Sequence, residues 1–413
     1  MRASIVIVGD EILIGQVTDT NSGWICQKLN GIGIEIIKII TVGDDYAQIV
    51  SGMEVALEAS DVLLMTGGLG PTKDDITKKA IAGFLGVDLF FHEPTFERIK
   101  KIFERLGRIL SPYHHDQCMM PEGVEILHNS MGTAPGMCFR YNSKQIISMP
   151  GVPFEMKAIM EEQVLPRFRN KSDLKIVHKT IMTACTGETI IENKIRSIVN
   201  DMPEYINIAY LPSLGAVRVR LTGKGSDGQV LEEEISYYAR CIAEALGPIV
   251  YGWEDTTLEQ AVQQLCIDKK IKVGTAESCT GGAIAARIVT VPGSSDYFYG
   301  GVVSYSNNIK CELLHVAEST LQNYGAVSEH TVKEMVVGAI NQLKVDVAIA
   351  VSGIAGPNGG TPEKPVGTIW ICAGNKSVQE TYLLKAGKDR TKNIETTVVY
   401  ALDFLRRFIL KNY

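Results

Sequence analysis

Asp61-Val62-Leu63-Leu64-Met65-Thr66-Gly67-Gly68-Leu69-Gly70-Pro71 is an apolar run that ends in a glycine-rich turn. A short run closed in this way reads as a strand buried on both faces. The flanking sequence repeats the pattern. Ser4 to Val8 is a short β-branched run followed by Gly9-Asp10, and Ile34 to Val42 is a third strand. A helix follows Asn21 through Trp24, Ile25 and Leu29, and Ile49 to Ala59 has helical period. Strands alternating with helices predict an α/β fold, here a doubly wound, mostly parallel sheet covered on both faces. Ligands on such sheets sit beyond the C-terminal ends of the strands. Gly9-Asp10-Glu11 and the segment from Gly67 to Asp75 both fall there.

The chain has 413 residues, which at about 150 residues per domain implies two or three domains. Apolar residues make up 45% and charged residues 21%, a globular balance that excludes a disordered chain. A net charge of -6 and a pI near 5.8 argue against binding nucleic acid through bulk positive charge. A local basic pocket for one phosphate remains compatible with that charge. The nine cysteines include no CxxC pair, and the seven histidines no HExxH, so no zinc ribbon or redox motif is visible. His114-His115 reads as a solvated loop rather than a metal site. Met1 to Gly15 contains no signal-type apolar region, and no stretch approaches the ~18 apolar residues of a membrane span. With unpaired cysteines, the expected compartment is the cytoplasm.

Pro166 to Asp173 is polar and turn-rich and marks a boundary. We therefore divide the chain at 1–170, 171–252 and 253–413. The middle segment reads as strand, helix, strand, strand, helix, strand: Lys175 to Thr183, Glu188 to Val199, Ile206 to Leu211, Val217 to Thr222, Val230 to Leu246 and Ile249 to Tyr251. This is a small α+β unit of split-βαβ type, KH-like in outline. Nine basic against ten acidic residues over 171–250 speak against RNA. Gly223 to Gly228 reads as a hairpin turn without a phosphate role. In the third segment, Asp255-Thr256-Thr257 signals a helix start before Leu258. Ile271 to Thr275 is a strand that opens into Ala276-Glu277-Ser278-Cys279-Thr280-Gly281-Gly282, followed by a helix to about Val289. Gly300 to Tyr305 and Val345 to Val351 are strands, Ser352 to Pro365 a long loop, and Val366 to Ala373 and Ser377 to Leu384 two more strands. The closing helix, Arg390 to Phe408, carries Ile394, Val398, Leu402, Leu405 and Phe408 on one face.

These motifs resemble the CinA (competence/damage-inducible) family along the whole chain. The N-terminal matches are Gly9-Asp10-Glu11-Ile12-Leu13, Asp19-Thr20-Asn21, Thr66 through Asp75, Gly132-Thr133-Ala134-Pro135-Gly136 and Pro150-Gly151-Val152-Pro153. The C-terminal matches are Ala276 to Gly282, Tyr305-Ser306-Asn307 and Gly353-Ile354-Ala355-Gly356-Pro357 through Gly367. The resemblance implies an N-terminal domain similar to molybdopterin-binding domains of the MoaB/MogA/MoeA type. In CinA proteins that domain is associated with metal-dependent ADP-ribose pyrophosphatase activity. It also implies an α/β C-terminal domain similar to nicotinamide mononucleotide (NMN) deamidase, which hydrolyses a carboxamide to nicotinate mononucleotide and ammonia.

Amide hydrolysis needs a nucleophile, a base and donors for the oxyanion. Ser278 lies where a strand gives way to a helix, whose first amides are expected to be free for an anion. Thr280, Gly281 and Gly282 let backbone approach a substrate. The alternative for Ser278 is a plain helix cap. Cys279 is a rival nucleophile without a His or Asn/Asp partner placed by the sequence. By resemblance Tyr305 and Lys310 belong to the site, with Lys310 as base if burial lowers its pKa; otherwise it is a solvated helix lysine. Ser352 and Gly353 open the glycine-rich loop, where Ser352 would hold carboxamide or phosphate. Arg390 would contact phosphate or merely begin a helix. Four positions later, where the family often has a second arginine, stands Ile394. This reaction requires no cofactor.

In the N-terminal domain, Gly67, Gly68 and Gly70 would cradle phosphate. Asp74 and Asp75, with Asp10, Glu11 and Asp19, would hold a divalent metal (Mg, Mn or Co). Asp74-Asp75 as helix caps is the alternative, and both roles can coexist. Gly132 and Thr133 would add backbone contacts. Where the family usually reads Asn-Lys-Gln, this chain has His115-Asp116-Gln117, an acid for a lysine. Deamidation therefore ranks above pyrophosphatase activity.

Three functions follow as expectations: a hydrolase of pyridine nucleotides such as NMN and ADP-ribose within nucleotide recycling; a pterin- or nucleotide-binding module without chemistry; or a non-catalytic partner in competence or recombination. We expect a homodimer, with no direct nucleic acid and no membrane as partner.

Overall fold

The computed structural model describes residues 1–70, 76–105, 107, 109, 113–169, 171 and 173–413. The chain forms two compact units, Met1–Val177 with Lys224–Leu231, and His178–Gly223 with Glu232–Tyr413.

The first unit is built on a six-stranded sheet in the order Glu35–Val42, Arg2–Val8, Val62–Thr66, Lys144–Met149, Gly136–Tyr141, Glu125–Leu127. The first four strands run parallel, and each of the last two is antiparallel to the strand before it. Every residue of Val62–Thr66 is buried, as its unbroken apolar run requires. Leu64 joins Ile5, Ile7 and Ile147 on one face, under Leu29, Met156 and Ile159. Leu63 and Met65 join Val6 and Ile146 on the other, under Ile49, Met53 and Ile81. Each such side chain contributes about 1.5–3 kcal/mol by burial. The His114-His115 pair is not in a loop. It lies on the short helix Tyr113–Gln117, where the His115 ring stacks on Phe91 at 4.3 Å and His114 meets the Phe103 ring edge-on at 4.5 Å.

The KH-like sheet has the order Ile206–Ser213, Ala216–Gly225, Lys175–Ala184, Val250–Trp253, with helices Glu188–Asn200 and Gly228–Leu246 as its two crossovers. This is the split-βαβ arrangement. The segment from 223 to 228 is not a hairpin. The strand continues to Gly225, and the Asp227 carboxylate then accepts the amides of Gln229 (2.9 Å) and Val230 (3.2 Å) to start a helix. Glycine, serine and aspartate serve turns and helix starts alike, and only the pairing partner distinguishes the two.

The C-terminal sheet has the order Phe298–Val303, Val273–Glu277, Val347–Gly353, Thr368–Gly374, Gln379–Lys385. Its first three strands are parallel, and each of the last two is antiparallel to the strand before it. Thr257 starts the helix Leu258–Lys269 through a capping box with Gln260. The closing helix Arg390–Asn412 buries Val398, Leu402, Leu405 and Phe408 on one face of the sheet. Helix Glu329–Leu343 covers the opposite face with Val332, Met335, Val336 and Ala339. The three parallel strands end at Glu277, Val303 and Gly353 on one side, so the loops that follow them converge there. Among the described residues no helix is long and apolar enough to cross a membrane.

Candidate functional site

Ser278 is the first residue beyond its strand. Its amide donates to the Val351 carbonyl at 3.0 Å, and the amide of Ser304 donates to the Glu277 carbonyl at 2.7 Å. The three strand ends are thereby locked side by side. Beyond Ser304, the hydroxyl of Ser306 accepts the Ile309 amide and starts helix Asn307–Leu314. That start sets Lys310 on the inner face, 1% exposed. Its Nζ reaches Ser278 Oγ at 3.0 Å, the Ser304 carbonyl at 2.7 Å and the Tyr305 carbonyl at 3.4 Å. No carboxylate pairs with it among the described residues, and burial pulls its pKa below the ordinary lysine value. Lys310 is therefore not a solvated helix lysine. With two N–H groups directed at the carbonyls, the remaining position on the nitrogen faces Ser278 Oγ; in the neutral amine that position is the lone pair.

Ser278 does not cap the following helix, and the first amides of that helix are not free. The carboxylate of Glu277, 1% exposed, occupies them. Its Oε2 accepts from Thr280 Oγ1 (2.7 Å), Gly282 N (3.0 Å) and Ile284 N (3.0 Å), and its Oε1 from Ala285 N (2.8 Å). Glu277 lies inside the Ala276–Gly282 motif, where the sequence alone assigns it no role. An acid placed before a glycine turn and a helix is the signal for one. Gly281 and Gly282 take φ of 64° and 100°, so they serve the turn. Cys279 is buried, and that burial pushes its thiol up to about 12. A thiolate nucleophile is thereby disfavoured.

The rim is formed by Tyr305, 60% exposed, and Arg390. The guanidinium donates to Tyr305 Oη at 3.1 Å and to the Gly356 carbonyl at 2.9 Å. Asn393, which sequence reasoning missed, holds the same loop by donating to the carbonyls of Ala355 and Gly387, both at 2.9 Å. Ile394 packs against the apolar cluster of the domain. Ser352 belongs to its strand rather than to the loop, and its buried hydroxyl donates to the Ala326 carbonyl at 2.7 Å. Gly353 is the last residue of that strand and packs closely on Ile369.

The first unit has its own cleft of about 510 Å³ beyond the parallel strand ends, lined by Gly67, Gly68, Gly70, Thr133 and Glu11. Gly67 has φ 111°, and a Cβ there would lie 2.0 Å from the Val8 carbonyl oxygen. Gly67→Ala is expected to cost at least about 1–3 kcal/mol, read as a lower urea midpoint. Gly132 is held away from ligand duty: its amide donates to Asn129 Oδ1 (2.9 Å), and its carbonyl accepts from Arg98 (3.2 Å). Asp10 and Asp44 exchange backbone-to-carboxylate bonds, and Asp19 accepts the amides of Asn21 and Ser22. Asp74 and Asp75 lie outside the described residues. Among the described residues no group of three His, Cys, Asp or Glu side chains is placed to hold a metal ion. Among the described residues, Glu11, Asp19, Asp44 and Glu155 are the acidic side chains that line the cleft; one or two carboxylates together with substrate phosphates suffice for a Mg-type ion. Two buried side chains lining the cleft keep acceptor atoms without a partner among the described residues: Asn21 Oδ1 and Gln117 Oε1.

Comparison with known proteins matches residues 255–409 to "CinA C-terminal domain", 4–170 to "Probable molybdopterin binding domain" and 178–252 to "Damage-inducible protein CinA KH domain". A "CinA-like protein" of Cytophaga hutchinsonii is 39% identical over 98% of this chain and 97% of its own. One of Flavobacterium psychrophilum is 38% identical over the whole of both. Among solved structures, the competence/damage inducible protein CihA from Agrobacterium tumefaciens is 37% identical, covering 36% of this chain and 93% of that one, with a TM-score of 0.35.

Proposed function

The chain belongs to the CinA family, and from that premise we propose that its C-terminal domain hydrolyses the carboxamide of NMN to nicotinate mononucleotide and ammonia. The observation that carries this reading is the buried contact of 3.0 Å between Lys310 Nζ and Ser278 Oγ. A buried lysine, whose neutral form burial favours, can serve as a base for an adjacent serine. Ser278 Oγ attacks the carboxamide carbon, and its proton passes to Lys310. The C–N bond then breaks, and Lys310 returns the proton to the leaving nitrogen, which departs as ammonia. Water attacks the resulting serine ester and gives a proton to Lys310, which passes it to Ser278 Oγ as the ester C–O bond breaks, freeing the acid and restoring the serine and the neutral amine. Arg390 and Tyr305 Oη, already hydrogen-bonded at the rim, supply a cation and a hydroxyl for the phosphate. The test is ammonia release from NMN by the full-length protein. A protein that releases none at any pH from 7 to 10 would falsify the proposal.

A second reading concerns the N-terminal cleft. The unpartnered acceptors of Asn21 and Gln117 favour a ligand that presents N–H groups, as the amino edge of a purine or pterin does. ADP-ribose carries such an edge, and its hydrolysis is the proposed second activity. Release of AMP from ADP-ribose is expected with Mg, Mn or Co, and Gln117→Leu should raise KM by about tenfold. Intact ADP-ribose with all three metals would leave the cleft as a binding module. Binding of neither ADP-ribose nor a pterin would remove this reading altogether.

A further inference from the structure

We propose that Glu277 is a positioning residue that fixes the amides of Cys279 and Thr280 as the oxyanion-binding donors of the serine site. The inference rests on the amidohydrolase reading of Ser278 and deepens it. Six of the eight backbone amides over 278–285 already have acceptors. Ser278 N donates to Val351 O, Gly281 N to Ser278 O and Ala283 N to Thr280 O. Gly282 N, Ile284 N and Ala285 N all donate to the Glu277 carboxylate. Two amides remain. Thr280 N has no acceptor among the described residues, and Cys279 N meets only its own thiol, a weak acceptor. These are the two residues directly after the nucleophile, and both are buried. The amide following a nucleophilic serine is a recurrent oxyanion donor.

Glu277 gives this arrangement its rigidity. Its four bonds tie the hydroxyl of Thr280 and three amides downstream to one buried carboxylate. The turn from 278 to 282 is therefore held at both ends, at Val351 on one side and at Glu277 on the other. By drawing the helix amides onto itself, Glu277 also removes them as competing anion donors. The oxyanion is left to the two amides nearest Ser278 Oγ. A glutamine cannot reproduce this, because its NH2 would face a backbone N–H whichever way the amide turned.

The test compares NMN with its thionicotinamide analogue in the full-length protein. Sulfur accepts hydrogen bonds weakly, so a well-aligned oxyanion site favours the oxygen substrate. Glu277→Gln should lower kcat for NMN at least about tenfold, hold KM within about twofold, and bring the oxygen-to-sulfur rate ratio several-fold closer to one. Thr280→Val removes one bond to Glu277 without changing charge, so it should shift the ratio the same way by a smaller factor. Thr280→Val decides the question if Glu277→Gln does not fold. A folded variant with the wild-type ratio overturns the inference, even if its kcat has fallen, since it then acts through stability alone. Failure of the wild type to release ammonia overturns the amidohydrolase reading itself, and it is seen before any variant is made.

Discussion

Ser278→Ala is expected to abolish ammonia release from NMN, lowering kcat by about 10⁴-fold or more while the protein stays folded. The size follows from the step that is lost. Without the hydroxyl no serine ester forms, and the buried amine has only water to activate. The fold should tolerate the change. Among the described residues Ser278 Oγ makes one side-chain hydrogen bond, to Lys310, and its backbone bond to Val351 is untouched. Lys310 keeps its two carbonyl partners. An unshifted melting curve beside lost activity is thus the expected pair of results. Full activity in Ser278→Ala would exclude the serine, and burial of the Cys279 thiol leaves that neighbour a poor substitute.

Lys310→Met should lower kcat by roughly 10²- to 10⁴-fold, the range of a positioned general base. Lys310→Arg should do no better, because a guanidinium stays protonated and offers no lone pair. The pH profile supplies a second readout. Burial lowers the Lys310 pKa from 10.5, so the neutral amine is populated at lower pH than in a free lysine. The wild-type kcat should rise with pH and level off, with an apparent ionisation below 10.5. The same shift fixes the sign for stability. The unfolded chain keeps this proton up to about pH 10.5, whereas the folded chain gives it up earlier. Stability therefore gains a rising contribution between the folded and unfolded pKa values, and Lys310→Met should remove it. A flat kcat profile from pH 7 to 10 would refute the base assignment.

Much of the fold was legible because its signals are local. The unbroken apolar run Val62–Thr66 could be satisfied only by burial on both faces, and the glycines after it had to form a turn. Thr257 declared its helix start through neighbours three residues away. The misreadings share one cause. Gly223 to Gly228 has the composition of a hairpin turn, yet strand pairing and the Asp227 cap make it the start of a helix. Ser352 read as a loop residue because glycines and prolines follow it, yet strand pairing with Trp370 extends through it.

The sequence by itself determined the α/β class and pointed to both candidate sites beyond the strand ends; the joining of Lys310 to Ser278 came from the family resemblance and from no signal of spacing or periodicity. Periodicity and turn chemistry act over a few residues, and a linear reading captures them. Only the tertiary structure decided that Lys310, 32 positions from Ser278, is buried against it and that Glu277 occupies the helix amides. It also showed Arg390 reaching Tyr305 across 85 positions. Burial and hydrogen-bond partners are set by which strands lie side by side, and a pKa follows from both. That adjacency is a property of the assembled sheet rather than of any segment within it.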